Sequence, residues 1–339
     1  MNADAWELDR SKSGDNVVLQ RATRDVLAPG PGEALVRIRA CSLNARDVLQ
    51  LDGKYTGQVR PFVVCSDAAG EVLAVGSDVK SLSAGDRVAN HGLPGWMDGP
   101  LRSEKKGVLY GGPDDGAMTT HRLFPAATLL RLPDHLSYED GATLNCAGLT
   151  AWSAVVTHSM AVPGDTLVIQ GTGGVSLFAL QFAKMAGLRT IITSSSDEKL
   201  EKAKGLGADH GVNYRDPDWP RRIRDLTGGG ADAIVEVAGT IDQSVRALRT
   251  GGTVLSVGVL SDARPGVNLP MIVMRAIRLQ GVTLGSLAEM QAMGRAMAMA
   301  ELRPVIDRLY AFEAVEEAFE YYRSGAMFGK IVVTINRAA

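Results

Sequence analysis

The sequence is poor in cysteine. It has three, Cys41, Cys65 and Cys146, widely spaced and with no CxxC pair, which excludes both a disulfide framework and a cysteine-rich zinc lobe. It also lacks an excess of either charge. Lys and Arg number 36 against 38 Asp and Glu, for a formal net charge of −2 and a pI near 6.2. No global field draws in a polyanion, so a nucleic-acid partner is not expected. A run of ~18 apolar residues, the length a membrane span needs, is missing too. Met1 to Asp9 carries three acids and neither a basic region nor an apolar core of the kind a signal peptide has. No membrane partner is expected, and the expected location is cytoplasmic.

With 45% hydrophobic and 22% charged residues, the composition is that of a soluble globular protein. At roughly 100–200 residues per domain, 339 residues allow about two domains. Glycine is the residue in excess: 38 positions, about 11% against the usual ~7%. An excess of glycine asks for tight turns or close backbone approaches, so the positions of these glycines matter.

From Gly32 to about Phe124 apolar residues alternate with period two, as in Val36-Arg37-Ile38-Arg39-Ala40 and Glu71-Val72-Leu73-Ala74-Val75. This pattern predicts a β-rich barrel or sandwich. Between Gly92 and Gly116 ten of 25 residues are Gly or Pro, which predicts a long irregular excursion over a site. From about Leu149 the texture becomes strand, turn, helix, strand. Strands are expected at Thr166–Gln170, Thr190–Thr193, Ala233–Val237 and Thr253–Val257, and helices at Leu177–Ala186, Glu198–Leu206 and Asp242–Leu248. Repeated βα units argue a parallel, doubly wound sheet. In the tail a helix at Ala314–Arg323 and a strand at Lys330–Ile335 are expected to fold back onto the first domain. A Met-rich helix from Glu289 to Met299 either lines an adaptable pocket or fills core.

The strongest motif is Leu167-Val168-Ile169-Gln170-Gly171-Thr172-Gly173-Gly174-Val175-Ser176, a strand entering a GxGxxG-type turn that opens a helix. Gly171 permits the tight turn, Gly173 lets backbone N–H groups approach a pyrophosphate, and small Ser176 lets helix and strand pack closely. In this motif class an acid about 20 residues on binds the adenosine ribose of NAD. Here Thr193, Ser194, Ser195 and Ser196 come first, and Asp197 and Glu198 fit a helix start with Ser195 as the cap. With no carboxylate to repel a 2′-phosphate and Lys199 near enough to pair with it, NADPH (NADP+) is the expected cofactor. A solvated helix lysine is the competing reading of Lys199.

Taken together, Gly85-Asp86-Arg87-Val88, Cys146-Ala147-Gly148-Leu149-Thr150-Ala151, the Gly171 turn, Lys204–Asp209 and Gly329-Lys330-Ile331-Val332-Val333 resemble the medium-chain dehydrogenase/reductase superfamily. The match is to its zinc-independent quinone-oxidoreductase-like and enoyl-reductase-like branch, and it covers nearly the whole chain. The resemblance implies an α/β fold with a GroES-like β-rich catalytic domain (1–148 and 285–339) and a Rossmann domain (149–284), with the cofactor in the cleft between them. It implies a 2′-phosphate pocket using Lys199 and Tyr214, and places Thr150, Ala238, Val257, Gly258, Val259 and Gly285 along the nicotinamide and ribose. Lys330 matches a basic position near the pyrophosphate. Asp67 is either its ion-pair partner or the anchor of a turn. A homodimer through the Rossmann sheet edge, Arg278–Leu284, is implied as well.

In zinc alcohol dehydrogenases of the superfamily a Cys, the His of a Gly-His-Glu triplet and a second Cys hold the catalytic metal. The matching positions here are Asn44, Ser66 of Cys65-Ser66-Asp67, and Cys146. One thiol cannot supply the three protein ligands a catalytic zinc needs, and His91, His121, His135, His158 and His210 show no ligand spacing. No metal is expected, and Cys146 reads as a small buried hydrophobe.

Without a metal, charge developing on a substrate oxygen must be met by hydrogen-bond or proton donors. The candidates are Asn44, Ser66 and Tyr55, the last matching a tyrosine of enoyl reductases, with a pocket-wall role as its alternative. Trp96, Tyr110 and Trp152 are either aromatic substrate surface or packing. The expected activity is NADPH-dependent reduction of a conjugated carbonyl, an enone C=C bond or a quinone, on a small apolar substrate. The alternatives are an NAD(P)-dependent alcohol dehydrogenase or ketone reductase, and an NADPH-binding sensor without turnover.

Overall fold

The computed structural model describes residues 1–9, 18–54, 61–107, 109–112, 114–258 and 266–335. The chain divides into two compact units, Met1–Ala147 with Ser286–Ala339, and Gly148–Gly285. Tyr55 and Val259 lie outside the described residues.

The first unit opens with β1 (Asn2–Asp9), β2 (Val18–Asp25), β3 (Glu33–Ser42), β4 (Phe62–Val63), β5 (Asp67–Val75), β6 (Arg87–Asn90), β7 (His121–Pro125) and β8 (Leu129–Arg131). Short helices α1 (Ala45–Leu51), α2 (Ser103–Lys106) and α3 (Tyr138–Ala142) interrupt them. The period-two pattern becomes burial: Val36, Ile38 and Ala40 of β3 are buried while Arg37 and Arg39 between them are half-buried. Among the described residues of the 92–116 excursion, the helical element is the single turn α2. Gly116 there runs so close to the neighbouring chain that a Cβ would sit 2.2 Å from Cys65 O and 2.3 Å from Val64 O.

The second unit holds α4 (Leu149–Trp152), β9 (Thr166–Gln170), α5 (Gly174–Met185), β10 (Arg189–Ser194), α6 (Asp197–Gly205), β11 (His210–Asn213), α7 (Trp219–Thr227), β12 (Ala231–Glu236), α8 (Ile241–Ala247), β13 (Leu248–Ser256), α9 (Leu269–Met274) and β14 (Arg278–Gly281). Its six strands are parallel in the order β11-β10-β9-β12-β13-β14. This is the doubly wound Rossmann order, with its switch point between β9 and β12. Val168, Ile191, Ile234 and Val254 on neighbouring strands bury together, and Trp219 and Ile223 of α7 cover them. α6 is capped by Ser196, whose Oγ accepts from Lys199 N at 3.3 Å. The expected cap, Ser195, stands one residue too early: Ser196 has the extended backbone from which a side chain can reach the third helical N–H.

The chain then returns to the first unit with α10 (Leu287–Met299), β15 (Ile306–Ala311), α11 (Val315–Arg323) and β16 (Lys330–Thr334). β16 pairs antiparallel with β3 and parallel with β15. The resulting sheet runs β15-β16-β3-β5-β6-β8, with β7 also on β3. Met290, Met293 and Met297 of α10 have zero exposure and fill core. Trp96, Tyr110 and Trp152 are buried as well. Tyr110 packs edge-on to Phe124 and Trp152 edge-on to Phe182, so these aromatics serve packing. Among the described residues no helix is long and apolar enough to cross a membrane.

Candidate active site

In the second unit the cofactor candidates stand at the carboxyl ends of the parallel strands. β9 ends at Gln170, the chain turns at Gly171 with φ +74°, a conformation that favours glycine, and α5 starts at Gly174. Ser176 Oγ donates to Gln170 O at 2.6 Å, closing the turn. Gly171, Thr172, Gly173, Gly174 and Val175 therefore form a loop at the N-terminus of a 12-residue helix, where free N–H groups and the helix dipole suit a pyrophosphate. Gln170 locks the switch point. Its Nε2 donates to Ser244 Oγ at 2.9 Å and to Thr240 Oγ1 at 3.3 Å, and its Oε1 accepts from Val237 N.

Beyond β12, Glu236 shapes the loop that carries Ala238. Its Oε1 accepts from the N–H groups of Ala238, Gly239 and Thr240 at 2.7–3.1 Å. Burial pushes its carboxyl up against those hydrogen bonds, which pull the other way. Val257 N donates to Glu236 O, and a Cβ on Gly258 would meet Val237 O at 3.2 Å. Ala238, Val257 and Gly258 thus come together on adjoining strand ends. Thr150 is buried in α4, and Gly285 is buried in the segment after β14.

Next to these, Tyr214 N donates to Ser194 O at 3.1 Å, which brings the end of β11 against the end of β10. Ser194 is buried, Ser195 and Lys199 are half-buried and Tyr214 is exposed. The first carboxylate after β10, Asp197, is engaged by Asn213 Nδ2 at 2.8 Å. Hydroxyls and one lysine therefore front this turn.

In the first unit, Asn44 and Lys330 share one buried hydrogen-bonded cluster, and Ser66 belongs to another built around Asp67. Lys330, 3% exposed, donates from Nζ to Leu43 O and Asn44 Oδ1, both at 2.6 Å. Asn44 Nδ2 donates to Ser42 O at 3.2 Å, and Asn44 N to Asp47 Oδ2 at 2.8 Å. Among the described residues Asp67 has no ion pair to Lys330 and instead anchors the second cluster. Its carboxylate accepts from Ser66 Oγ and Asn145 Nδ2, each at 2.7 Å, and from Cys146 N at 3.0 Å. Asn145 Oδ1 in turn accepts from Gly92 N. The Ser66 hydroxyl hydrogen is thereby committed, and toward a ligand Ser66 is an acceptor only.

Asp47 went unrecognised in the sequence although Asn44 and Asp47 have the three-residue spacing of a cap. Burial pushes its carboxyl up to about 6, with Asp67 adding to the rise and Arg46, the Asn44 N–H and Lys330 opposing it. Arg46, 3.7 Å from Asp47, also donates to Tyr110 O and Gly112 O. Tyr322 of α11 was missed as well. Burial and the fields of Asp47 and Cys146 raise its phenol. Tyr322, Asn145, Gln170 and Glu236 carry no local motif, and only the folded chain singles them out.

The three positions where zinc relatives hold metal do not fit a zinc ion. The Asn44 oxygen is taken by an ammonium and the Ser66 hydroxyl is spent on Asp67, which leaves the Cys146 thiol as a single ligand where a zinc ion needs three from the protein. Among the described residues no three His, Cys, Asp or Glu side chains gather as a ligand set.

Family comparisons agree with this architecture. The alcohol dehydrogenase GroES-like domain family matches residues 30–134, and the zinc-binding dehydrogenase family matches residues 174–299. A zinc-type alcohol dehydrogenase-like protein of Schizosaccharomyces pombe is 37% identical over 317 residues, covering 90% of this chain and 92% of its own. A crystal structure from Sinorhizobium meliloti 1021, described as a candidate alcohol dehydrogenase, superposes with a TM-score of 0.92 at 37% identity. It covers 98% of this chain and 99% of that one. A NAD-dependent alcohol dehydrogenase superposes at 0.86 with 30% identity, covering 98% and 100%. The chain belongs to the medium-chain dehydrogenase/reductase superfamily and is an oxidoreductase of that type, using a nicotinamide cofactor.

Proposed function

We propose that the protein is a zinc-independent, NADPH-dependent reductase of a conjugated carbonyl, an enone or a quinone. The observation that carries this reading is the set of groups at the three former ligand positions: a carboxamide whose oxygen is held by an ammonium and whose N–H can donate, a hydroxyl spent on Asp67, and a protonated thiol. Such a set stabilises an oxyanion by hydrogen bonding and does not polarise it as a Lewis acid would.

Bound NADPH would supply a hydride from C4 of its nicotinamide and leave as NADP+. The Gly171–Val175 turn would hold the pyrophosphate, Ala238, Val257 and Gly258 would line the ribose and nicotinamide, and Lys199 with Ser194, Ser195 and Tyr214 would take the 2′-phosphate. Hydride addition to the acceptor carbon would leave negative charge on the carbonyl oxygen through the conjugated system, and Asn44 Nδ2–H would donate to it. Tyr55 is assigned the proton that completes C=C reduction, on the likeness of Gly53-Lys54-Tyr55 to enoyl reductases. Asp67 keeps Ser66, Asn145 and the Cys146 backbone in place around the site.

A second reading, oxidation of an alcohol or reduction of a simple ketone, is favoured by the alcohol dehydrogenase names of the relatives. One experiment separates the two. Purified protein is mixed with NADPH or NADH and a panel of enones, quinones and ketones, with and without a chelator, and cofactor absorbance is followed. NADPH oxidation by enones or quinones that survives chelation supports the first reading. Turnover confined to simple ketones and abolished by chelator supports the second.

We also infer a cytoplasmic homodimer. All three cysteines are free thiols, as a reducing compartment keeps them. β14 ends the Rossmann sheet with Leu279 43% exposed, an edge suited to pairing with a second copy.

A further inference from the structure

We propose that Lys330 is a positioning residue for this reaction, a buried cation that orients the Asn44 carboxamide as a hydrogen-bond donor to the substrate oxygen. The proposal rests on the reductase reading above and assigns Lys330 to the catalytic unit's own chemistry, away from the pyrophosphate position that its motif suggests.

The argument begins with valence. A lysine ammonium has three N–H groups and no acceptor, so the Asn44 atom 2.6 Å from Lys330 Nζ is the oxygen. That contact fixes which way the amide lies, a choice an isolated asparagine leaves open. The Asn44 NH2 group then faces away from Lys330. One of its two hydrogens goes to Ser42 O at 3.2 Å, and the second is left for a ligand.

Helix capping and the Lys330 contact fall on the same residue. Asn44 is the N-cap residue of α1, where an asparagine oxygen ordinarily accepts from the third helical N–H. Here Asp47 N donates to the backbone Asn44 O, and the Asp47 carboxylate takes the Asn44 N–H. Asn44 and Asp47 form a reciprocal capping box, and the Asn44 amide oxygen, with two lone pairs, still accepts from Lys330.

Burial supplies the rest. An ammonium removed from water is costly unless it is hydrogen-bonded and its charge is answered nearby. Lys330, 3% exposed, spends two donors on the neutral oxygens of Leu43 and Asn44. Its field reaches Asp47, whose acidity it raises. A lysine so placed polarises the Asn44 amide and makes its remaining N–H a stronger donor. Positive charge thus stands behind the position where zinc relatives carry a ligand, and it acts through the asparagine.

The test is a double-mutant cycle on the full-length enzyme, with an acceptor that the wild type reduces. Loss of a single oxyanion donor costs about 10²–10³ in kcat. Lys330→Met and Asn44→Ala are each expected to lower kcat by about 10²-fold, and the double mutant is expected to be no slower than Asn44→Ala, because residues acting as one unit are not additive. The NADPH dissociation constant, read by fluorescence, stays close to wild type in Lys330→Met. Asn44→Asp guards against a folding failure: its carboxylate keeps the Lys330 contact while the N–H donor is lost, so kcat falls with thermal stability retained. A Lys330→Met enzyme with much weaker NADPH binding and intact kcat overturns the proposal in favour of a pyrophosphate contact. Additive effects, or an Asn44→Asp enzyme that retains kcat, overturn it too. In each of these cases the wild type still turns over, so the reductase reading survives. A wild type that binds NADPH but transfers its hydride to none of the enones or quinones overturns both.

Discussion

Asp47 shows how much a single buried group can say about this site. Its carboxyl ordinarily titrates near 3.8 and is pushed up to about 6 in the folded chain, so the folded state holds this proton more tightly than the unfolded state. Stability drawn from it is present in full below pH 3.8 and drains away as pH rises through about 6. At about 1.36 kcal/mol per unit, the penalty on ionisation is on the order of 3 kcal/mol. Asp47→Asn keeps an acceptor for the Asn44 N–H but cannot ionise. The melting temperature of Asp47→Asn minus that of the wild type should therefore rise from pH 4 to pH 7, measured by calorimetry. A difference that is flat or falling over that window would remove the buried-acid account. Cys146 makes a parallel case. With its thiol at about 12, iodoacetamide at pH 8 should leave Cys146 unmodified in native protein while labelling it in urea, as read by mass spectrometry, because only the thiolate reacts. Cys65 takes the left-handed backbone conformation at φ +72°, which ordinarily favours glycine.

At the scale of elements, the turn from β10 into α6 is where cofactor choice is proposed to be made. Lys199→Ala should raise the NADPH dissociation constant about tenfold, the loss of one charge-assisted contact, and leave NADH binding unchanged; equal losses for both cofactors would sink the 2′-phosphate assignment. Ser196→Ala removes the cap of α6 and should cost about 1 kcal/mol of stability, seen as a lower urea midpoint, whereas Ser195→Ala should leave that midpoint unmoved. Much of this was legible in the sequence. Val- and Ile-rich runs bounded by glycine gave β9, β10, β12 and β13, and the Gly171 turn marked the start of α5. β11 was not legible, because His210-Gly211-Val212-Asn213 has neither alternation nor an apolar run. β2 was hidden too: its residues Val18–Asp25 are partly or fully exposed and polar, so no burial pattern shaped them. The Lys330–Asn44 contact joins residues 286 apart in sequence, and no local spacing can announce such a pair. Asp67 was read with two roles open, and only its hydrogen bonds to Ser66, Asn145 and Cys146 decided between them.

For the whole molecule, the remaining question is what covers the end of the Rossmann sheet. Among the described residues β14 pairs with β13 on one side only, and an open edge strand presents unpaired N–H and C=O groups that invite a second strand. Natural edges are blunted with charge, usually lysine; here Arg278 leads the strand, but Leu279 follows it exposed. Beside it in sequence, α9 reads Leu-Pro-Met-Ile-Val-Met with no buried residue, and Val273 and Met274 are 76% and 82% exposed. An apolar helix left in water is expected where a partner excludes that water. Leu279→Lys places a solvated charge at the edge and should shift the protein from dimer to monomer in sedimentation velocity. Since Leu279 is not a core residue, the fold of each subunit should survive, with an unchanged far-ultraviolet circular dichroism spectrum. A wild type that sediments as a monomer at high concentration, or a Leu279→Lys variant that stays dimeric, would move the interface away from β14.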